Sequence, residues 1–170
     1  MSKRHFSTLL IVTILVAVAV TLLVPGKTGR DDGPAGGPLL PGMDQRINDV
    51  DEVRITLAGN STAATLKRDS EQWRIAELSD YPADWEDLRE LLRSVAQAEI
   101  LEYKTDNPDY YGRLGVEDID SPEAVGILLE LALGDERLGV IVGNEASGRE
   151  GQYVRLAGAE RSILIDRVLD

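Results

Sequence analysis

The chain of 170 residues carries 30 acidic and 18 basic side chains, a formal charge of −12, which repels phosphate backbones and anionic headgroups and argues against nucleic acid as a partner. It has no cysteine and a single histidine, His5. Disulfides, thiolate nucleophiles, cysteine zinc sites, Ser-His-Asp triads and imidazole metal ligands are therefore excluded from everything beyond the fifth residue, and no cofactor is implied.

Behind a basic start (Lys3, Arg4), the run from Phe6 to Val24 is apolar and uncharged. At about 1.5 Å per residue it reaches roughly 28 Å, close to the hydrocarbon thickness of a bilayer. Residues 1–25 are expected to form a single transmembrane anchor. The competing reading is a cleaved signal peptide, but the A-x-A-like site Ala17-Val18-Ala19 lies inside the apolar run, and cleavage there would leave a greasy terminus. Lys27 and Arg30 behind the span nearly balance Lys3 and Arg4 ahead of it. A large following domain translocates largely regardless of charge, so the N-terminus is expected on the cytoplasmic side and the domain outside.

Residues 26–43 contain six glycines and three prolines in 18 residues, with no hydrophobic period. They are expected to be a flexible tether. The domain is expected over 44–170, where 14 basic and 28 acidic residues give a charge of −14.

Within it, Val53, Ile55 and Leu57 alternate with polar residues, and the alternation returns at Ala64 and Leu66 and again at Trp73 and Ile75, with turns at Gly59-Asn60 and Asp69-Ser70. That pattern predicts a three-strand antiparallel meander. The period then lengthens. Trp85, Leu88, Leu91, Leu92 and Val95 share one face of a helix that starts at Pro82 or Asp84, with acidic residues in its first turn. Ile100, Leu101 and Tyr103 form a short strand. Four more strands are expected over 124–133, 137–143, 152–158 and 161–166. The sum is an α+β domain: a mostly antiparallel sheet with one main packed helix and a short capped helix. Its core is expected to be Leu, Ile, Val and Ala with Trp73 and Trp85, no phenylalanine occurring after Phe6.

The short helix falls in "KTDNPDYYGRLGVED" (104–118). Asn107 is placed as an N-cap, Pro108 as the first helical residue and Gly115 as the glycine past the C-terminus. Leu114 is expected to be buried beneath it. Neighbouring helix positions point about 100° apart, so Tyr110 and Tyr111 cannot share a face. The outward tyrosine and Arg113 form a candidate interaction surface, given the enrichment of these residue types in interfaces; the whole motif also reads as a plug for the sheet's end.

The stretches "QRINDVDEVRI", "ATLKRDSEQWRI", "YPADWEDLRELLRSVA", "ILEYKTDNPDYYGRLGVED" and "GQYVRLAG" occur in that order, and together the chain resembles the bacterial family catalogued as domain of unknown function 4340. The resemblance spans about Met43 to the end. It implies a single-pass protein of the bacterial inner membrane with a periplasmic domain, belonging to a family often encoded beside gliding-motility-type ABC transporter components, with no catalytic residues to carry over. Relatives usually run longer, often with a second similar half, so this chain is expected to be a short or truncated form.

Other constellations are weak. Gly143 and Gly148 have P-loop spacing, but Arg149 and Glu150 replace the required Lys and Ser or Thr. Asp118, Asp120 and Glu123 lack the EF-hand glycine, Glu123 standing in its place. Asp49, Asp51 and Glu52 read as strand-end charge. The function expected is a non-enzymatic docking module of an ABC-type export or motility assembly. The alternatives are a ligand-binding module, with a pocket framed by the sheet and the 107–114 helix, and a carboxylate-dependent enzyme.

Overall fold

The computed structural model describes residues 35–169. The span expected at Phe6–Val24 lies outside them; among the described residues no helix is long and apolar enough to cross a membrane.

The alternating stretches become strands that pair into one nine-stranded sheet. The meander is β1 (Glu52–Leu57), β2 (Ser61–Asp69) and β3 (Gln72–Ile75), extended by the two-residue β4 (Tyr81–Pro82). After the helix α2 (Trp85–Ala96; α1 is the single turn Met43–Arg46) come β5 (Ile100–Tyr103) and the short α3 (Tyr111–Leu114). The series closes with β6 (Ile127–Leu133), β7 (Glu136–Glu145), β8 (Gln152–Leu156) and β9 (Ser162–Ile165). The strand order is β4-β3-β2-β1-β6-β7-β8-β9-β5, and every neighbouring pair is antiparallel. This is the expected α+β arrangement of a mostly antiparallel sheet with few, short helices.

Antiparallel partners share a face of the sheet, which sorts the core into two layers. On the first face lie Val53, Leu129, Leu131, Val140, Val142, Val154 and Ile165. Leu88, Leu92 and Val95 of α2 close over them. Asp84 starts α2 by accepting hydrogen bonds from Glu86 N and Asp87 N at 2.9 and 3.4 Å, which satisfies two of the helix's orphan donors. The second face, over β6 to β8, is covered by residues 111–124. Tyr111, Val116, Ile119 and Ile141 pack there, with Leu114, Leu128 and Tyr153 beside them.

Two expectations change. The tether does not run to Met43: Leu39, Leu40 and Met43 are buried in the main core, and residues 36–39 pair with the chain entering β5. There Gly36 N donates to Ile100 O, Ile100 N to Gly37 O and Leu39 N to Ala98 O, at 2.7–2.8 Å. Three apolar side chains set among glycines and prolines suffice to dock this segment, because β5 is the sheet's outer strand and would otherwise expose unpaired backbone groups. The second change is Trp85. It is half exposed, at 50%, whereas Trp73 is buried. Trp85 is the first residue of α2 and stands at the margin of its apolar stripe, on the side shared with Arg89 and Arg93.

Candidate interaction site

The segment 107–118 is built as its residue types require, with one refinement. Its first turn, Pro108–Tyr110, is a 3-10 turn, and α3 follows as one α-helical turn. Asn107 Oδ1 accepts from Asp109 N at 3.0 Å, and Asn107 N donates to Thr105 Oγ1 at 3.0 Å. Gly115 ends the helix at φ 70°, its N–H donating to Tyr111 O. That left-handed conformation suits a residue without Cβ.

The segment docks by backbone contact. A Cβ at Gly126 or Gly143, both on or beside the sheet, would overlap the carbonyl oxygens of Leu114 and Gly115. These glycines let the end of α3 lie directly on β6 and β7, the close backbone approach that a strand glycine permits. Leu114 is consequently half-buried, not fully buried as expected, because much of the contact beneath α3 is made by main chain.

Arg155, on β8, locks the segment from below. It is 3% exposed, and its guanidinium donates to Val116 O (2.9 Å), Ala159 O (2.8 Å) and Asp118 Oδ1 (2.5 Å). Its planar head lies 4.6 Å from the centre of the Tyr111 ring. A planar fork of donors bonding two carbonyls and a carboxylate while stacking on an aromatic face is a task for Arg that Lys cannot perform. Tyr111 is the inward tyrosine, 5% exposed, and its hydroxyl donates to Glu160 O. Burial pushes that hydroxyl's pKa up, against the pull of Arg155, so it remains a neutral donor.

What the segment presents outward is the pair expected from the sequence. Tyr110 is 44% exposed, and Arg113 lies over its ring at 4.9 Å. Of the three candidate residues, Tyr110 and Arg113 come together on the surface, while Tyr111 belongs to the interior. Arg155 went unrecognised because "QYVRLAG" reads as a half-exposed strand; only the cover on the second face makes its position internal.

A groove of about 300 Å³ lies between the 44–48 segment and α2. Ile47, Trp85, Leu92 and Ala96 supply its apolar surface, and Asp44, Arg89 and Arg93 stand at its rim. Among the described residues no cluster of three metal-ligating side chains occurs; Asp118 serves Arg155 instead.

Residues 73–169 match the family model described as "Domain of unknown function (DUF4340)". No curated protein and no solved structure matches the chain.

Proposed function

The chain belongs to the DUF4340 family, and from that premise we propose that it is a non-enzymatic docking module of the bacterial envelope. In this reading Phe6–Val24 holds it in the inner membrane, and the periplasmic domain engages a protein subunit of an ABC-type export or gliding-motility-like assembly. The observation that carries the reading is the Tyr110–Arg113 pair. An aromatic ring and a guanidinium stand outward together on a segment fixed from beneath by Arg155, Tyr111 and the glycine contacts. Interfaces concentrate binding energy in Tyr and Arg side chains held in place before binding. The residue inventory points the same way: no cysteine occurs, and the one histidine is His5.

The test is affinity capture of the full chain from solubilised membranes, with its partners identified by mass spectrometry. Transporter subunits should accompany the native chain. They should be lost from the Tyr110→Ala, Arg113→Ala double variant, whose melting temperature should match the native one. Recovery of the protein alone from membranes in which the transporter stays intact, or undiminished capture by the double variant, would count against the proposal.

A further inference from the structure

We infer that the groove beside α2 is a binding site for a free α-amino acid with an apolar side chain. Two arginines of α2 stand apart from the other arginines among the described residues. Each other arginine of the described domain except Arg113 bonds or pairs with an oxygen: for example Arg46 with Glu136, Arg54 with Glu52, Arg149 with Glu102 and Arg167 with Asp166. Arg68 and Arg74 reach backbone carbonyls, and Arg155 and Arg161 do the same. Arg89 and Arg93 make no ion pair or side-chain hydrogen bond among the described residues. They are four apart on α2, an arrangement in which like charges repel along the helix surface. Glu86 and Glu90 stand three residues before each of them, yet neither pairs with them.

Both arginines line the groove with Asp44 of α1, which likewise makes no ion pair or side-chain hydrogen bond among the described residues. Between the two signs of charge lie Ile47, Leu92 and the exposed part of Trp85. An anion alone would meet Asp44, and a cation alone would meet the two arginines. A zwitterion satisfies both: its carboxylate bridges Arg89 and Arg93, its ammonium faces Asp44, and its side chain covers Ile47, Leu92 and the Trp85 ring. The groove's volume, about 300 Å³, lies at the lower end of small-molecule sites and leaves room for a ligand as small as leucine. A few polar groups of fixed sign around an apolar floor are what orient a small ligand. The site is separate from the Tyr110–Arg113 surface and stands whether or not that surface docks a protein.

Calorimetric titration of the full chain in lipid nanodiscs with L-leucine tests the assignment, since this probe stays in water. A saturable heat is expected. 4-Methylpentanoate, which lacks the ammonium, and 3-methylbutylamine, which lacks the carboxylate, should each bind at least about tenfold more weakly. So should leucine to Asp44→Asn and to the Arg89→Gln, Arg93→Gln variant. All three altered positions are exposed, so melting temperatures should stay at the native value. No saturable binding by the native chain, equal binding by the variants, or 4-methylpentanoate binding as tightly as leucine would overturn the proposal.

Discussion

Replacing Arg155 by Met keeps the aliphatic stem in its slot and removes only the charged fork. Three donors are lost. Val116 is fully buried, so its carbonyl is left without a partner or water, at a cost of about 1–3 kcal/mol. Ala159 is only half-buried; water can replace the lost bond, and the net loss is about 1 kcal/mol. The Asp118 side chain is 71% exposed, which screens that ion pair down to about 0–1 kcal/mol. The stack on Tyr111, out of water, contributes about 1–2 kcal/mol. Together the variant should lose about 3–7 kcal/mol, a large part of the about 5–15 kcal/mol by which domains are stable. Urea unfolding of the purified full chain, followed by the emission of buried Trp73, measures this as a shift in midpoint at constant slope. Asp118→Asn should cost under about 1 kcal/mol by the same assay. A loss below about 1 kcal/mol for Arg155→Met, or equal losses for the two variants, would refute the claim that orphaned carbonyls, and not the ion pair, make this arginine indispensable.

The glycine contacts predict a contrast: Gly143→Ala, which drives a methyl into Leu114 O and Gly115 O, should cost at least about 2–3 kcal/mol. Gly112→Ala meets only the movable Glu117 carboxylate and should be neutral or stabilise by up to about 1 kcal/mol, both read from thermal melts. Tyr110→Ala should leave stability within about 0.5 kcal/mol of native, whereas Tyr111→Phe should lose about 1 kcal/mol with its bond to Glu160 O. Asn107→Ala should cost about 1 kcal/mol as a lost cap, and Leu114→Ala, half-buried, less than the about 2–5 kcal/mol of a core truncation. In acid, the Arg167 guanidinium, bonded to both oxygens of Asp166 (2.9 and 2.8 Å), together with the N–H of Glu99, holds the Asp166 carboxyl below the usual carboxylate range, although burial opposes this. The folded chain therefore binds that proton less readily than the unfolded one. Its contribution is full above the ordinary carboxylate pKa of about 4 and is lost as pH falls through the depressed value. Asp166→Asn should flatten this acid limb, which stability curves measured at a series of pH values will show.

The parts that the sequence made legible are those governed by neighbours along the chain. The period-two alternation located β1 to β3, and the 3.6 period located α2. Asn107, Pro108 and Gly115 marked the short helix because each stands where helix chemistry needs it. Contacts between distant segments were not legible. That β1 lies beside β6, and β5 beside β9, depends on packing across the whole domain. Leu39, Leu40 and Met43 were hidden by the glycines and prolines around them, though their burial is what joins that segment to the core. Nothing along the chain marks Gly126 and Gly143 as the places where another backbone lies against the sheet, since a glycine in a strand can equally mark a bulge or a bend. The rim of the groove was equally hidden, since Asp44 and Arg93 are far apart in sequence and come to line one groove only when α1 folds beside α2.

Residues 36–43 also decide how mechanical load enters the domain. Tension arriving from the N-terminal side of residue 35 meets first the bonds of Gly36 and Gly37 to Ile100, then that of Leu39 to Ala98. A pull that peels the segment away from β5 loads these bonds one at a time. The pull next reaches Leu39, Leu40 and Met43, which are embedded in the same core as Val95 and Ile165. From there it is shared by the whole sheet. A weak leading latch followed by a firm hold lets the domain yield a few residues of slack before the sheet is strained. The same yielding strips the outer side of β5 and uncovers its backbone groups at Ile100, a strand edge able to accept another segment in their place.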